Sequence, residues 1–304
     1  MSGLVATVNA QTLVDAVGLG AVFALMAVGI GLVFGVLRLV NFAYGQLVMA
    51  GAYTLAFTAG LPLAVRLAAC LGVVLALTLA LERAVFRPLR TASPAVMLVT
   101  TFAIAFLLQA IALILDVRDG TIGEAAASVR GLNQAVSIAG VDVRRVTLVA
   151  IAAAALTLAL LALLLTRTTL GLHMRAAATD FHTARLLGVR ADRVIAFAVV
   201  LSGVIAAVVA VILTIRTPLV TPSFALKETI VVLVGVVVGG IDRLWTATLG
   251  GFAIGFATGV INGALPTEHT VFLPSVVFAL VVLVLLLRPG GIFAPGRALT
   301  VERV

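Results

Sequence analysis

Nine apolar runs, most of them close to the length of a bilayer crossing, constrain this chain more than any other feature. They fall at residues 13–37, 42–60, 63–86, 95–115, 146–166, 194–215, 228–241, 246–263 and 271–287. A helix takes roughly 20 apolar residues to cross the hydrocarbon core of a membrane. With 63% apolar and only 11% charged residues, a chain of 304 residues has too little polar surface to stay dispersed in water. The expected architecture is all-α: a polytopic integral membrane protein of about eight to nine transmembrane helices, in a single transmembrane domain spanning 1–304. Two runs stand apart. The 42–60 run is polar and Gly-rich at its start and reads as broken or re-entrant, and 228–241 is short enough to pair with 246–263 as one hairpin. This pattern excludes a disordered chain, a secreted disulfide scaffold and an ordinary soluble enzyme; Cys70 stands alone and can form no internal disulfide.

The formal charge of +8 comes from 20 basic and 12 acidic residues. The charges sit singly between apolar runs, which points to membrane topology and not to nucleic acid. Placing the turns near Arg38, 83–90, 167–193, Arg243 and the C-terminal tail in the cytoplasm puts thirteen of the 20 basic residues there. The remaining seven lie on the other side, four of them in one long outer loop at about 117–145. The positive-inside bias therefore predicts an external N-terminus, a cytoplasmic C-terminus and a retained first span. Asp116, Asp119 and Asp142 read as solvated charges of that outer loop.

Glycine spacing indicates how the spans pack. Gly251, Gly255, Gly259 and Gly263 recur every four residues and form one smooth helical stripe; Gly31/Gly35 and Gly235/Gly239 repeat the spacing. Close van der Waals approach at such stripes replaces the hydrophobic drive that lipid does not supply. The stripe suits packing within the chain first and a subunit seam second.

Two segments outside the plain apolar pattern are candidates for function. In the cytoplasmic loop at about 167–193, Asp180 is placed to cap a short helix with its body over 181–187 and Gly188 as its stop. Phe181, Ala184 and Leu187 share one face, with His182 and Arg185 elsewhere. So short a helix is unstable by itself in water. It either docks on a cytoplasmic partner or rests on the protein's own membrane ends. The second segment is the polar interruption at Arg38, Asn41 and Gln46, since polar groups at membrane depth face a cavity or a partner. Gln109, Thr100, Thr101, Thr258 and Asn262 either line a path or bond a neighbouring helix.

Enzymatic signatures are thin. His173, His182 and His269 have no carboxylate or Cys at metal-ligand spacing, and the chain has no G-x-x-x-x-G-K-[ST] run. No cofactor, metal or catalytic residue is expected. No carboxylate falls in mid-span, which counts against a proton-coupled, stand-alone secondary transporter.

The run from Leu32 to Gln46, continuing to Gly51-Ala52-Tyr53, closely resembles the membrane permease of bacterial branched-chain amino acid ABC importers of the LivH type. Glu82-Arg83 with Arg87-Pro88-Leu89-Arg90 and Ser93 resembles that family's second inner loop. Arg175-Ala176, Asp180 and Ala184-Arg185-Leu186-Leu187-Gly188 resemble its coupling segment. Gly239-Gly240, Gly250-Gly251 and Arg288-Pro289 with Gly291-Ile292-Phe293 resemble its C-terminal third. The likeness extends in register over almost the whole chain. It implies the ABC importer permease fold and a subunit of the bacterial inner membrane that does no chemistry itself. The implied partners are a second related permease, two cytoplasmic ATPases, an extracytoplasmic substrate-binding protein, membrane lipid and an amino-acid substrate. It makes 180–188 the ATPase-coupling element, with Arg175, Asp180, Phe181, Ala184, Arg185, Leu187 and Gly188 as its residues. Asn41, Tyr44, Gln46, Gln109 and Asn262 are the translocation candidates. There are departures. Tyr44 stands where relatives commonly carry His, Gln46 where they carry an acidic residue, and Ala294 where the tail motif ends in Gly. These bear on substrate identity more than on fold. Relatives of this permease also carry urea or short amides, which is the alternative reading.

Overall fold

The computed structural model describes residues 10–37, 41–89, 92–118, 124–125, 134–138, 141–179, 181–217, 219–240 and 243–288. Eleven α-helices stand among the described residues. They are α1 (Ala10–Leu37), α2 (Tyr44–Phe57), α3 (Leu63–Leu81), α4 (Pro94–Arg118), α5 (Arg145–Arg167) and α6 (Thr169–Thr179). After these come α7 (Phe181–Leu186), α8 (Ala191–Arg216), α9 (Leu226–Gly239), α10 (Leu244–Ala264) and α11 (Leu273–Leu287). A π-helical turn, Glu82–Phe86, extends α3, and a 3-10 turn, Thr267–Phe272, leads into α11.

Seven helical segments are long and apolar enough to cross a membrane: α1, α3, α4, α5, α8, α10, and α11 taken with its 3-10 lead-in (His269–Leu287). The polytopic architecture is thus present in the fold. The two runs that stood apart in the sequence are its two short apolar helices. α2 and α9 have 14 residues each, about 21 Å at 1.5 Å per residue, against about 30 Å of hydrocarbon. Each helix by itself is shorter than the hydrocarbon thickness.

Helix ends follow local chemistry. Thr168 Oγ1 accepts the Gly171 N–H at 3.0 Å and caps α6, and a proline stands in the first turn of α11. Gly188 (φ +88°) ends the turn after α7 and Gly240 (φ +105°) ends α9; a side chain at either φ would strain the backbone.

The long loop at 117–145 carries strands that the helical pattern did not announce. β1 (Glu124–Ala125) precedes an antiparallel hairpin of β2 (Ala135–Ile138) and β3 (Val141–Arg144), with Val136 opposite Val143. β1 also pairs antiparallel with β4 (Leu219–Val220), Glu124 opposite Val220. This pairing ties the loop to the turn after α8, so both lie at one end of the bundle.

The core is arranged around α1. Of its most apolar stretch 83% is buried, and 61% for α8, against 22% or less for α3, α4, α5 and α11. Those outer helices present Leu107, Leu160, Phe106 and Leu286 outward, all more than half exposed. That surface is the solvent-facing side of a protein whose solvent is lipid. α10 is the most extensive neighbour of α1, and the glycine stripe makes the seam. A Cβ on Gly255 would lie 2.8 Å from Phe23 Cβ and 2.9 Å from Gly20 Cα, and one on Gly259 2.5 Å from Ala16 Cα. Gly251 abuts Ala27 and Gly263 abuts Thr12 in the same way. α9 and α10 pack backbone to backbone: a Cβ on Gly239 would lie 2.8 Å from Gly250 Cα.

One expectation is corrected. Asp116 is not a solvated loop charge. α4 continues to Arg118, so Asp116 sits on the helix, 1% exposed, and accepts a hydrogen bond from Tyr53 Oη at 2.7 Å.

Candidate functional site

The polar interruption of the sequence becomes the entry to α2. Asn41 Oδ1 accepts the Ala43 N–H at 3.0 Å, a local turn that starts the helix. Eleven of the 14 residues of α2 are buried, so this short helix lies inside the bundle and not on its surface. Small residues let its neighbours close in. A Cβ on Gly51 would lie 2.7 Å from Ala210 on α8 and 3.0 Å from Val74 on α3, and one on Gly45 2.5 Å from Thr229 Oγ1 on α9.

α1, α2 and α8 meet at Gly29. The Tyr44 ring lies directly over it: a Cβ there would come within 2.6 Å of Tyr44 Cζ. The Gly29 carbonyl accepts a hydrogen bond from Ser202 Oγ at 2.6 Å. Tyr44 is 0% exposed and Gln46 1%, and neither Tyr44 Oη nor Gln46 Oε1 has a hydrogen-bond partner among the described residues. A narrow cleft is lined by Val33, Asn41, Leu47, Thr78, Phe86 and Ser202. Buried polar groups are ordinarily bonded. Here two stand unpartnered on the first turn of a helix lined by glycine contacts.

Asn41 thus stands in the turn before α2, with Tyr44 and Gln46 on the first turn of the helix. Gln109 is half-buried on α4, and Asn262 is exposed near the end of α10, apart from that group. Thr258 spends its hydroxyl on the Ile254 carbonyl within its own helix. Ser202 and Gly29 carried no sequence signal beyond being small residues in apolar runs.

The segment from α6 to Gly188 follows the end of α5 opposite the β3 strand. α6 packs on α5 and α8, and α7 follows. Ala184 is 4% exposed, whereas Leu186 and Leu187 are 76% and 80% exposed. Ala184 and Leu187 thus do not share one environment: the first faces the protein and the second points away. Arg175 is exposed on α6. Asp180 and the side chains of Phe181 and Arg185 lie outside the described residues.

At the strand end, two contacts that sequence reasoning missed hold the last turns of α2. Arg66, 3% exposed, donates from Nη2 to the Leu55 carbonyl at 2.9 Å, and Tyr53 bonds Asp116. The available signal was the continuity of helical pattern through 116, which moves that carboxylate from loop to helix. Among the described residues no group of three or more His, Cys, Asp or Glu could hold a metal ion.

Comparison with known proteins covers the same ground. The family model described as branched-chain amino acid transport system / permease component matches residues 12–287. The high-affinity branched-chain amino acid transport system permease protein BraD of Pseudomonas aeruginosa is 30% identical over 295 residues, 93% of this chain and 94% of that protein. The LivH permease proteins of Salmonella typhimurium and Escherichia coli K12 are 29% and 28% identical over 296 residues, with the same coverage. No solved structure matches the chain significantly. A buried, glycine-lined helix inside a bundle of membrane-length helices, matched from 12 to 287, places this chain in the branched-chain amino acid transport system permease family.

Proposed function

We propose that this chain is one of two membrane subunits of an ATP-driven importer of branched-chain amino acids. In this reading it forms part of the translocation pathway and couples to two cytoplasmic ATPases. The observation that carries the reading is the match over 93% of the chain to permeases named for high-affinity branched-chain amino acid transport. The second permease and the external binding protein follow from that membership.

The geometry supports a division of labour. Asn41, Tyr44 and Gln46 sit where a path between α1, α2 and α8 would pass, with Gln109 and Asn262 as outlying lining residues. The segment from Arg175 through Asp180, Phe181, Ala184 and Arg185 to Leu187 and Gly188 is the ATPase contact. Two leucines, 76% and 80% exposed at the tip of a six-residue helix, are unfavourable in open cytoplasm and suited to a partner's apolar groove. The excess of basic residues at that end supports an orientation with this end inside the cell, the N-terminus outside and the C-terminus cytoplasmic.

Tagged permease, gently solubilised, is expected to carry down two P-loop ATPases and a second permease, identified by mass spectrometry. A chain that comes down alone from membranes holding all the subunits overturns the reading. Phe181→Ala is expected to leave ATP hydrolysis running while uptake falls by about tenfold or more, the scale of losing one buried aromatic anchor. Normal uptake by that variant sinks the coupling assignment.

A further inference from the structure

We propose that Asp116, held by Tyr53, recognises the ammonium group of the transported amino acid. The proposal rests on the importer reading and adds to it a charge-selective contact in the membrane subunit itself. Asp116 is 1% exposed, and Tyr53, 5% exposed, donates to its Oδ2 at 2.7 Å. Its Oδ1 is equally buried and has no hydrogen-bond partner among the described residues. A buried carboxylate with an empty oxygen is among the least favourable arrangements in a protein and calls for a cation with N–H donors. The wall around the pair is apolar: Met49, Ala52, Ala112 and Val220, with Phe224 against them.

An α-ammonium carrying an aliphatic side chain satisfies both halves of this site. The ammonium donates to Oδ1, and the hydrocarbon meets the methionine, valine and phenylalanine. A urea or a neutral amide brings N–H groups but no charge, so it would leave the desolvated carboxylate uncompensated. The pair lies at the strand end of the bundle, the end at which a binding protein would deliver substrate in the proposed orientation. α4 has α2 as its main neighbour among the described elements, so moving that one helix opens the pair.

The test uses the complete importer in proteoliposomes with leucine-loaded binding protein. Asp116→Asn is expected to lower leucine moved per ATP hydrolysed by about tenfold or more, the scale of one charge-assisted hydrogen bond. Assembly and stimulated ATP hydrolysis stay near wild type, and Asp116→Glu restores part of the uptake. An Asn variant with unchanged leucine per ATP, or one that loses hydrolysis and uptake in proportion, overturns the assignment. If the Asn variant does not assemble, wild-type complex without binding protein decides by thermal shift. Leucine and leucinamide, which keep the ammonium, are expected to raise its melting temperature, and 4-methylpentanoate, which lacks it, is not. Equal shifts by leucinamide and 4-methylpentanoate, or none by leucinamide, overturn the proposal. A wild-type complex that takes up no branched-chain amino acid fails the importer reading first and takes this proposal with it. Normal wild-type uptake with an indifferent Asn variant fails Asp116 alone.

Discussion

Gly29 leaves no space for a methyl group, because Tyr44 occupies that space and Ser202 holds the carbonyl on the other side. Gly29→Ala is expected to destabilise the purified permease by about 1–3 kcal/mol, the usual range for overpacking, read as a lower melting temperature in detergent. Tyr44 makes a sharper prediction. Its hydroxyl is buried and unpartnered, so Tyr44→Phe removes an unsatisfied group and is expected to raise the melting temperature. If that hydroxyl serves the transported solute, leucine uptake falls in the same variant. Higher stability with unchanged uptake would remove Tyr44 from the pathway. At this scale the sequence was informative about Asn41, Tyr44 and Gln46, since polar residues opening an apolar run are conspicuous. It was silent on Gly29 and Ser202, whose importance comes from helices about 170 residues apart in sequence meeting at one carbonyl. It was misleading on Asp116, because the end of an apolar run was taken as the end of a helix.

Among the elements, the four-residue glycine spacing marks a smooth face but not what meets it. On α10 the stripe closes against α1 along its whole length, so each position is filled by backbone or small side chains of the neighbour. Gly35 has the same spacing from Gly31, yet a Cβ on it would meet nothing within 4 Å. Gly72 on α3 is equally open. Gly255→Ala and Gly259→Ala are therefore expected to lower the melting temperature markedly, again by about 1–3 kcal/mol. Gly72→Ala, with free space and the better helix former, is expected to match wild type or exceed it. Equal losses in all three variants would mean that the α1–α10 seam is not where the glycines act. The same distinction explains the two short helices. The sequence set both runs apart, 42–60 by its polar, Gly-rich start and 228–241 by its shortness, and each is a 14-residue helix, α2 buried along eleven residues and α9 along six.

For the whole molecule, the pairing of β1 with β4 fixes which loops share an end, while the proposed orientation of those ends rests on the distribution of basic residues. Cys70 is 1% exposed, so the natural chain offers almost no thiol to a membrane-impermeant maleimide and a single introduced cysteine reports its own side. Ser137→Cys on the β2–β3 hairpin and Leu187→Cys beyond α7 occupy exposed positions at opposite ends. Spheroplasts are expected to label at 137 and not at 187, and permeabilised membranes at both. The reverse order would invert the topology and remove α7 from reach of any cytoplasmic ATPase. A second comparison separates orientation from docking. With the ATPase subunits co-expressed, the thiol at 187 is expected to become protected in permeabilised membranes while that at 137 stays reactive. Full labelling at 187 in the assembled complex would keep the topology and reject α7 as the contact. Neither result follows from the other: the first reads the orientation proposed from the basic residues, the second the docking proposed for the two exposed leucines.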